Sequence, residues 1–496
     1  MNWIITRNNK PVNINSIPLV EIEKLRPDII KKSGEGMRPV SFFSFKKSKE
    51  IILYIIMADD ENSHLLISSS PMKGKSSYES ITREVSSFWN FENEFHEETG
   101  IIPEGHPWLR GVRYPHNRHN PEKMIEDFPF FTMAGDEIHE VAVGPIHAGI
   151  IEPGHFRFMC QGETVHHLEI QLGYQHRGIE SLFINNRLKY PVHLAESIAG
   201  DSVIAHSSAY VQAIESLCRT NISRRAQSIR AVALELERIA IHIGDLAAIS
   251  NDVAYLLGNS VFGANRTLIV NTLLAICGSR YGRGLIRSGG VVFDISPGMS
   301  EEMAAALKKV KRVISDMCEK MFETPTVLSR LEFTGTVDTK TAGDMGMVGI
   351  AARASGLQRD VRSDFPSGIY RYFPVHKITM DSGDVFARTY LRYVEIKQSI
   401  DYILELLENM QNTKSLMTPL NKPARSSFTV SMTEGWRGEI VHTSITDASG
   451  NIARYKIKDP SFNNWFGLAQ SVRGNGVSDF PLCNKSFDLS YAGHDL

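Results

Sequence analysis

The segment Ala231–Ile249, "AVALELERIAIHIGDLAAI", carries two interleaved patterns. Leu236, Ile239, Ala240, Ile243 and Leu246 recur at three- and four-residue spacing, which predicts the apolar face of an α-helix. Glu235, Arg238, His242 and Asp245 recur at the same spacing and form a polar stripe on that helix. Two readings of the stripe stay open. A solvated face with local ion pairs requires nothing beyond helix geometry. A buried polar seam beside a cofactor or a proton path requires partners from other elements. The choice decides whether this helix lies at the surface or the centre of the fold.

Outward from it, helical text runs from Leu194 to Leu257 and returns in "EEMAAALKKVKRVISDMCEKMF" and "FARTYLRYVEIKQSIDYILELLENM". Gly- and Pro-containing stretches, "IRSGGVVFDISPG" and "RSDFPSGIYRYFP", separate these helices. The final hundred residues read as strands, with a hairpin predicted around "DASGN" at Asp447–Asn451. Near the start, Glu50–Met57 and "HLLISSS" also read as strands, followed by a His-, Asn- and Pro-rich strap from Arg113 to Glu140. The expected architecture is a multi-domain α+β chain. Residues 1–135 form a small α/β domain with its strap, and residues 136–496 a helical bundle with peripheral β-structure.

With 496 residues, 42% hydrophobic and 22% charged, the chain has the composition of a globular protein of two to four domains. A formal charge of −2 gives no basic footprint for nucleic acid. "MNWIITRNNKPVN" lacks the pattern of a secretory signal. Apolar runs such as "EIILYIIMADD" fall short of the ~20 residues a membrane helix needs, so peripheral attachment is the expectation. The five cysteines are scattered without a C-x-x-C pair, which fits a reducing cytoplasmic setting and supplies no readable thiolate metal site.

Five of the 17 histidines crowd into residues 147–176: His147, His155, His166, His167 and His176. They share no helical or strand spacing with a Cys, Asp or Glu set, so metal ligation, a polar pocket and satisfied structural histidines all remain open. Arg437 adjoins the tight-turn residue Gly438, with His442 five residues on, and is read either as a ligand-facing donor fork or as structural. "GNGVSDF" and "RSGG" match neither a dinucleotide fingerprint nor a P-loop.

Seven ordered stretches then carry a resemblance: "VGPIHAGIIEPGHFRF", "LEIQLGYQHRGIESLF", "LELERIAIH", "IRSGGV", "ARASGLQRDVRSDFP", "EGWRGEIVH" and "IKDPSFNNW". Together they resemble the large subunit of group 4, energy-converting nickel–iron hydrogenases and its relative, the D-type subunit of respiratory complex I. "ENEFHEETGIIPEGHPWLR" is similar to the signature of the C-type subunit of complex I, and the fused order resembles a formate hydrogenlyase large subunit.

The departures from the family are as informative. Where the hydrogenases place two C-x-x-C pairs, "ESIAGDSVIAH" has Ala199 and Ser202, and "FDLSYAGHDL" has Ser490 and Gly493. Alanine and glycine offer a metal nothing, and a serine hydroxyl is a hard substitute for a soft thiolate. Active hydrogenase chemistry is not expected. The complex I quinone-binding histidine falls at Glu152-Pro153, its tyrosine near Gly200, and a cluster-adjacent arginine at Ser197. His242 matches the histidine that complex I places near its terminal cluster.

The resemblance therefore implies a nickel-free subunit of a membrane-bound, NADH:quinone oxidoreductase-like complex, peripheral on the cytoplasmic face of the inner membrane. Its partners would be a small subunit holding a 4Fe–4S cluster and membrane subunits related to antiporters. Glu152 or His155 would relay protons, and Arg437 would face a quinone or similar two-electron acceptor. His147, Asp201, His206, His242 and Asp488 would line the cavity or face the cluster. The other reading is a non-catalytic subunit bridging the small subunit and membrane arm of an ion- or bicarbonate-handling complex.

Overall fold

The computed structural model describes residues 2–47, 50–147, 151–185, 191–411 and 415–496. Its centre is the predicted helix, which spans Arg224–Asp252 and begins where the Ser223 hydroxyl accepts the Ala226 N–H at 3.1 Å. This central helix is buried all round rather than along one stripe. Helices Val203–Leu217, Leu256–Cys277 and Val385–Glu408 pack against it, with Pro297–Phe322 behind.

The solvated-face reading of the polar stripe is overturned. Glu235, Arg238 and His242 are fully buried, and Asp245 nearly so. The reason is that arginines and carboxylates from other elements cover that side, so the stripe faces protein charge instead of water.

Two four-stranded antiparallel sheets flank the helices. One orders Ile4–Thr6, His64–Pro71, Glu50–Asp59 and Arg38–Lys47; the other orders Ile452–Lys458, Glu439–Thr446, Ser427–Glu434 and Val12–Asn13. The "DASGN" hairpin joins Glu439–Thr446 to Ile452–Lys458, as its turn residues predict. Helices Ile22–Gly34 and Trp89–Thr99 belong to the first sheet's side of the molecule. Strand text at the front and helical text at the centre thus produce the mixed α and β structure expected.

The sheets are not independent. Val12–Asn13 leaves the N-terminal segment to pair with Ser427–Phe428. Phe43 and Tyr54 pack on Phe428 with ring centroids 6.4 and 5.2 Å apart, inside one core that also holds Ile56, Val430 and Val441.

One helix departs from the expectation that no apolar segment is long enough to span a membrane. Leu256–Cys277 has 22 residues and is apolar enough by composition, although Asn259, Asn265 and Arg266 break its apolar text into short runs. It lies against the central helix, with the Arg266 side chain packed over Gly244, and leaves Leu256, Leu257 and Leu274 exposed.

Candidate functional site

Arg437 enters on the turn between strands Ser427–Glu434 and Glu439–Thr446. The turn fits because Gly438 (φ +141°) lies back to back with Gly349 (φ +67°); a Cβ on Gly349 would sit 2.0 Å from the Arg437 carbonyl oxygen. The guanidinium is held against the Trp436 ring, 3.9 Å from its centroid. It donates a bidentate pair to Asp201 at 2.6 and 2.7 Å, and its Nε donates to the Asp488 carbonyl oxygen. The Ser202 hydroxyl is 3.5 Å away. Burial opposes its charge, but the Asp201 carboxylate outweighs burial and raises the Arg437 pKa above the ordinary arginine value.

Of the positions where the resemblance puts thiolates, Ser202 has a contact with this arginine among the described residues. Ala199 and Ser202 are buried just before helix Val203–Leu217, next to Asp201. Ser490 caps the short helix Tyr491–Asp495 by accepting the Gly493 N–H at 2.8 Å. A Cβ at Gly493 would lie 2.7 Å from the Asp459 carboxyl carbon. The site is therefore not merely short of sulfur: the Asp459 carboxylate occupies the space a cysteine at 493 would need. Among the described residues no group of three or more His, Cys, Asp or Glu could hold a metal ion. The residues do not fit a nickel–iron centre.

Asp459 anchors a second polar chain. His206 lies between Asp459 Oδ2 (3.0 Å) and His442 Nε2 (3.1 Å), and His442 Nδ1 meets the Tyr455 hydroxyl at 2.8 Å. Burial and the facing His206 hold His442 well below the usual histidine range. His206 Nε2 donates to the Asp459 carboxylate, and its Nδ1 faces His442 Nε2. Burial opposes ionisation of Asp459, but His206 outweighs it and lowers its pKa to about 2.

Behind Arg437 the buried stripe of the central helix takes over. Asp488 sits in the left-handed region (φ +46°) and its carboxyl hydrogen-bonds Asp245. Arg392 donates to Asp245 at 2.6 Å and keeps it ionised, while burial and the Asp245 charge push Asp488 well up. The Asp488 side chain still reaches the surface over about a third of its area. His242 follows, with Nδ1 3.9 Å from Asp245 and Nε2 2.9 Å from Glu395. Arg353 pairs with Glu395 and with Glu434, the latter at 2.9 Å. Glu235 closes the series, accepting from Arg238 (3.0 Å), Arg362 (3.2 Å), Tyr370 (2.7 Å) and Ser399 (2.5 Å).

The sequence-expected residues separate into three groups. Asp201, Arg437, Asp488 and His206 come together with Asp459 as described. Glu152 is half-buried beside them, accepting the Ala492 N–H at 3.1 Å. His155 and His147 stand apart. His155 packs on Phe130 and is lowered by partial burial and Arg157; His147 is exposed, bonds the Gly144 carbonyl oxygen and packs edge-on against Phe156. His242 is fully buried and faces Glu395 and Asp245.

The other three histidines of residues 147–176 have different neighbours. His176 meets the Asp495 carbonyl oxygen at 2.8 Å, His167 meets Glu169 at 2.6 Å, and His166 is exposed near Gln161. Gly200, at the tyrosine position, is exposed with no atom near a notional Cβ. Spacing along the chain did not single out Asp459, Glu395, Arg392 or Arg353. Only the Asp-Pro step of "IKDPSFNNW", which makes Asp459 a helix N-cap, gave any signal.

Comparison with known proteins agrees with the motifs. The family described as "Respiratory-chain NADH dehydrogenase, 49 Kd subunit" matches residues 257–427. Formate hydrogenlyase subunit 5 of Escherichia coli (strain K12) is 28% identical over 443 residues, 85% of this chain and 77% of that protein. Membrane-bound hydrogenase subunit alpha of Pyrococcus furiosus is 27% identical over 365 residues, 70% of this chain and 85% of the other. The D-type subunit of NADH-quinone oxidoreductase from Carboxydothermus hydrogenoformans is 30% identical over 353 residues, 70% of this chain and 96% of the other. With its ordered motifs, its buried Arg437 cluster and these relatives, the chain belongs to the family that unites group 4 hydrogenase large subunits with the D-type subunits of NADH-quinone oxidoreductase.

Proposed function

We propose that this chain is the nickel-free large subunit of a membrane-bound, complex-I-like assembly, seated between an iron–sulfur small subunit and antiporter-related membrane subunits. The carrying observation is the bidentate Arg437–Asp201 pair among Ser202, Ser490 and Gly493, where the family's thiolates belong. Because Arg437, Asp201, His206 and Asp459 are already engaged with one another, the geometry favours a bridging role for this region. Relatives named as subunits of formate hydrogenlyase, membrane-bound hydrogenase and NADH-quinone oxidoreductase support the setting. The exposed leucines of Leu256–Cys277 suit attachment at a membrane face through partners.

A second reading, quinone reduction, is favoured by Glu152. Half-buried and accepting the Ala492 N–H near the start of the Tyr491 helix, it would be the proton relay for an acceptor that displaces Asp201 from Arg437. Purification of the native complex separates the readings. The bridging role expects less than stoichiometric nickel, no quinone-analogue reduction, and loss of assembly in Arg437→Ala. Quinone turnover that falls at least about tenfold in Glu152→Ala, with assembly intact, would establish the second reading instead. Stoichiometric nickel would refute both.

A further inference from the structure

On the far side of Glu434 from His242 lies a cavity of about 360 Å³, within the size range of small-molecule sites. It is walled by helix Val203–Leu217, the central helix, strand Ser427–Glu434, the 361–371 segment and the N-terminal Asn9–Pro11. Its charge is one-sided. Lys10, Arg219, Arg230, Arg362 and Arg371 line it against two carboxylates, Glu215 and Glu434.

Both carboxylates are already bound. Arg230 holds Glu215 bidentately at 2.6 and 3.0 Å, and Arg353 holds Glu434. Lys10, Arg219 and Arg371 are exposed, and among the described residues none of them forms an ion pair. Deeper in, Ser208 and Thr433 are 2% and 5% exposed, and their hydroxyls have no hydrogen-bond partner among the described residues. A buried hydroxyl left without a partner is costly, and a cluster of free cations at a mouth favours an anion that meets them. Apolar lining from Leu234, Ile369 and Met432 completes a wall suited to a flat organic group.

We propose that this cavity binds a small organic phosphate of mononucleotide size. The phosphoryl group sits among Lys10, Arg219 and Arg371, and the organic body reaches Ser208 and Thr433. Arginine is the side chain whose planar fork matches phosphate oxygens, and two of the three mouth cations are arginines. The site is separate from the Arg437 cluster; its lining residues Glu434, Arg362 and Tyr370 also bond the buried network of the central helix, through Arg353 and Glu235.

Adenosine monophosphate, adenosine and inorganic phosphate serve as probes, titrated by calorimetry into the full chain or the purified complex that holds it. Saturable binding of adenosine monophosphate is expected, weakened by salt and at least about tenfold weaker in Arg219→Glu/Arg371→Glu. Both substitutions are at exposed positions, and circular dichroism checks that the fold is kept; Lys10→Gln is the milder companion and is expected to weaken binding severalfold. Thr433→Val should weaken the nucleotide severalfold and leave inorganic phosphate unchanged. The proposal is overturned if the nucleotide shows no saturable binding, or binds the charge-reversed variant equally well. It is equally overturned if adenosine or inorganic phosphate alone matches the nucleotide, because one half of the cavity would then be idle.

Discussion

Glu237 shows how a single buried carboxyl can set a pH dependence. It accepts the N–H groups of Ile204 (2.7 Å) and Ala205 (3.1 Å), at the start of helix Val203–Leu217, yet burial outweighs these bonds and raises its pKa to about 8. An unfolded glutamate titrates near ~4.3, so the folded state binds this proton more tightly. Stability is therefore full at low pH and declines as pH rises from the unfolded value towards 8, at up to about 1.4 kcal/mol per unit. Glu237→Gln should flatten that slope in denaturant unfolding between pH 5 and 8; an unchanged slope would remove Glu237 as its source. Gly493 offers a second test. Gly493→Cys must displace Asp459, and a loss of about 1–3 kcal/mol in melting experiments is expected without gain of nickel. At this scale the motifs pointed to Arg437, Asp201, Asp488 and Glu152. Asp459 and Arg353 lie within "IKDPSFNNW" and "ARASGLQRDVRSDFP" without standing out there, and Glu395 lies outside all seven stretches, because spacing along one segment does not reveal which distant charges cross it.

The central helix makes the same point for elements. Its existence followed from periodicity, as did that of the 297–322 and 385–408 helices, although it begins at Arg224, ahead of the periodic stretch; turn residues marked the "DASGN" hairpin. Its environment did not, since a stripe of Glu, Arg, His and Asp at helical spacing looks the same whether water or arginine faces it. Here Arg353, Arg362 and Arg392 face it, and each buried charge depends on its neighbour's presence. Arg353→Met should cost about 3–5 kcal/mol, because Glu395 and Glu434 would be left buried without their cation. Equilibrium unfolding checks this, and a change below about 1 kcal/mol would mean that the network is internally redundant. The two-residue strand Val12–Asn13 was beyond periodicity altogether, being too short to show any.

For the whole molecule, the joint between the two sheets is one of the buried charge clusters that acid must break. Arg38 from the first sheet donates to Glu439 of the second at 2.6 and 3.1 Å, and Lys458 adds a bond at 2.7 Å. Burial opposes ionisation of Glu439, but Arg38 and Lys458 prevail and lower its pKa to about 2. The group contributes stability above the unfolded value of ~4.3, on the order of 3 kcal/mol, which is lost as pH falls towards 2. Acid titration followed by circular dichroism should show a steep loss of structure across that window, shallower in an already weakened Glu439→Gln. An equally steep transition in that variant would place the acid-sensitive joint elsewhere.

The pairing of Val12–Asn13 with Ser427–Phe428 has a further consequence, for how the chain is made. Residues more than four hundred positions apart must meet before the shared core of Tyr54, Phe43 and Phe428 can close. During synthesis the N-terminal sheet emerges first and waits, with the face destined for Phe428 uncovered, until nearly the whole chain has left the ribosome. Contacts of such long range form slowly. Closure of that shared core therefore waits on a contact of long range, and until it forms the apolar face of the N-terminal sheet stays open to other chains.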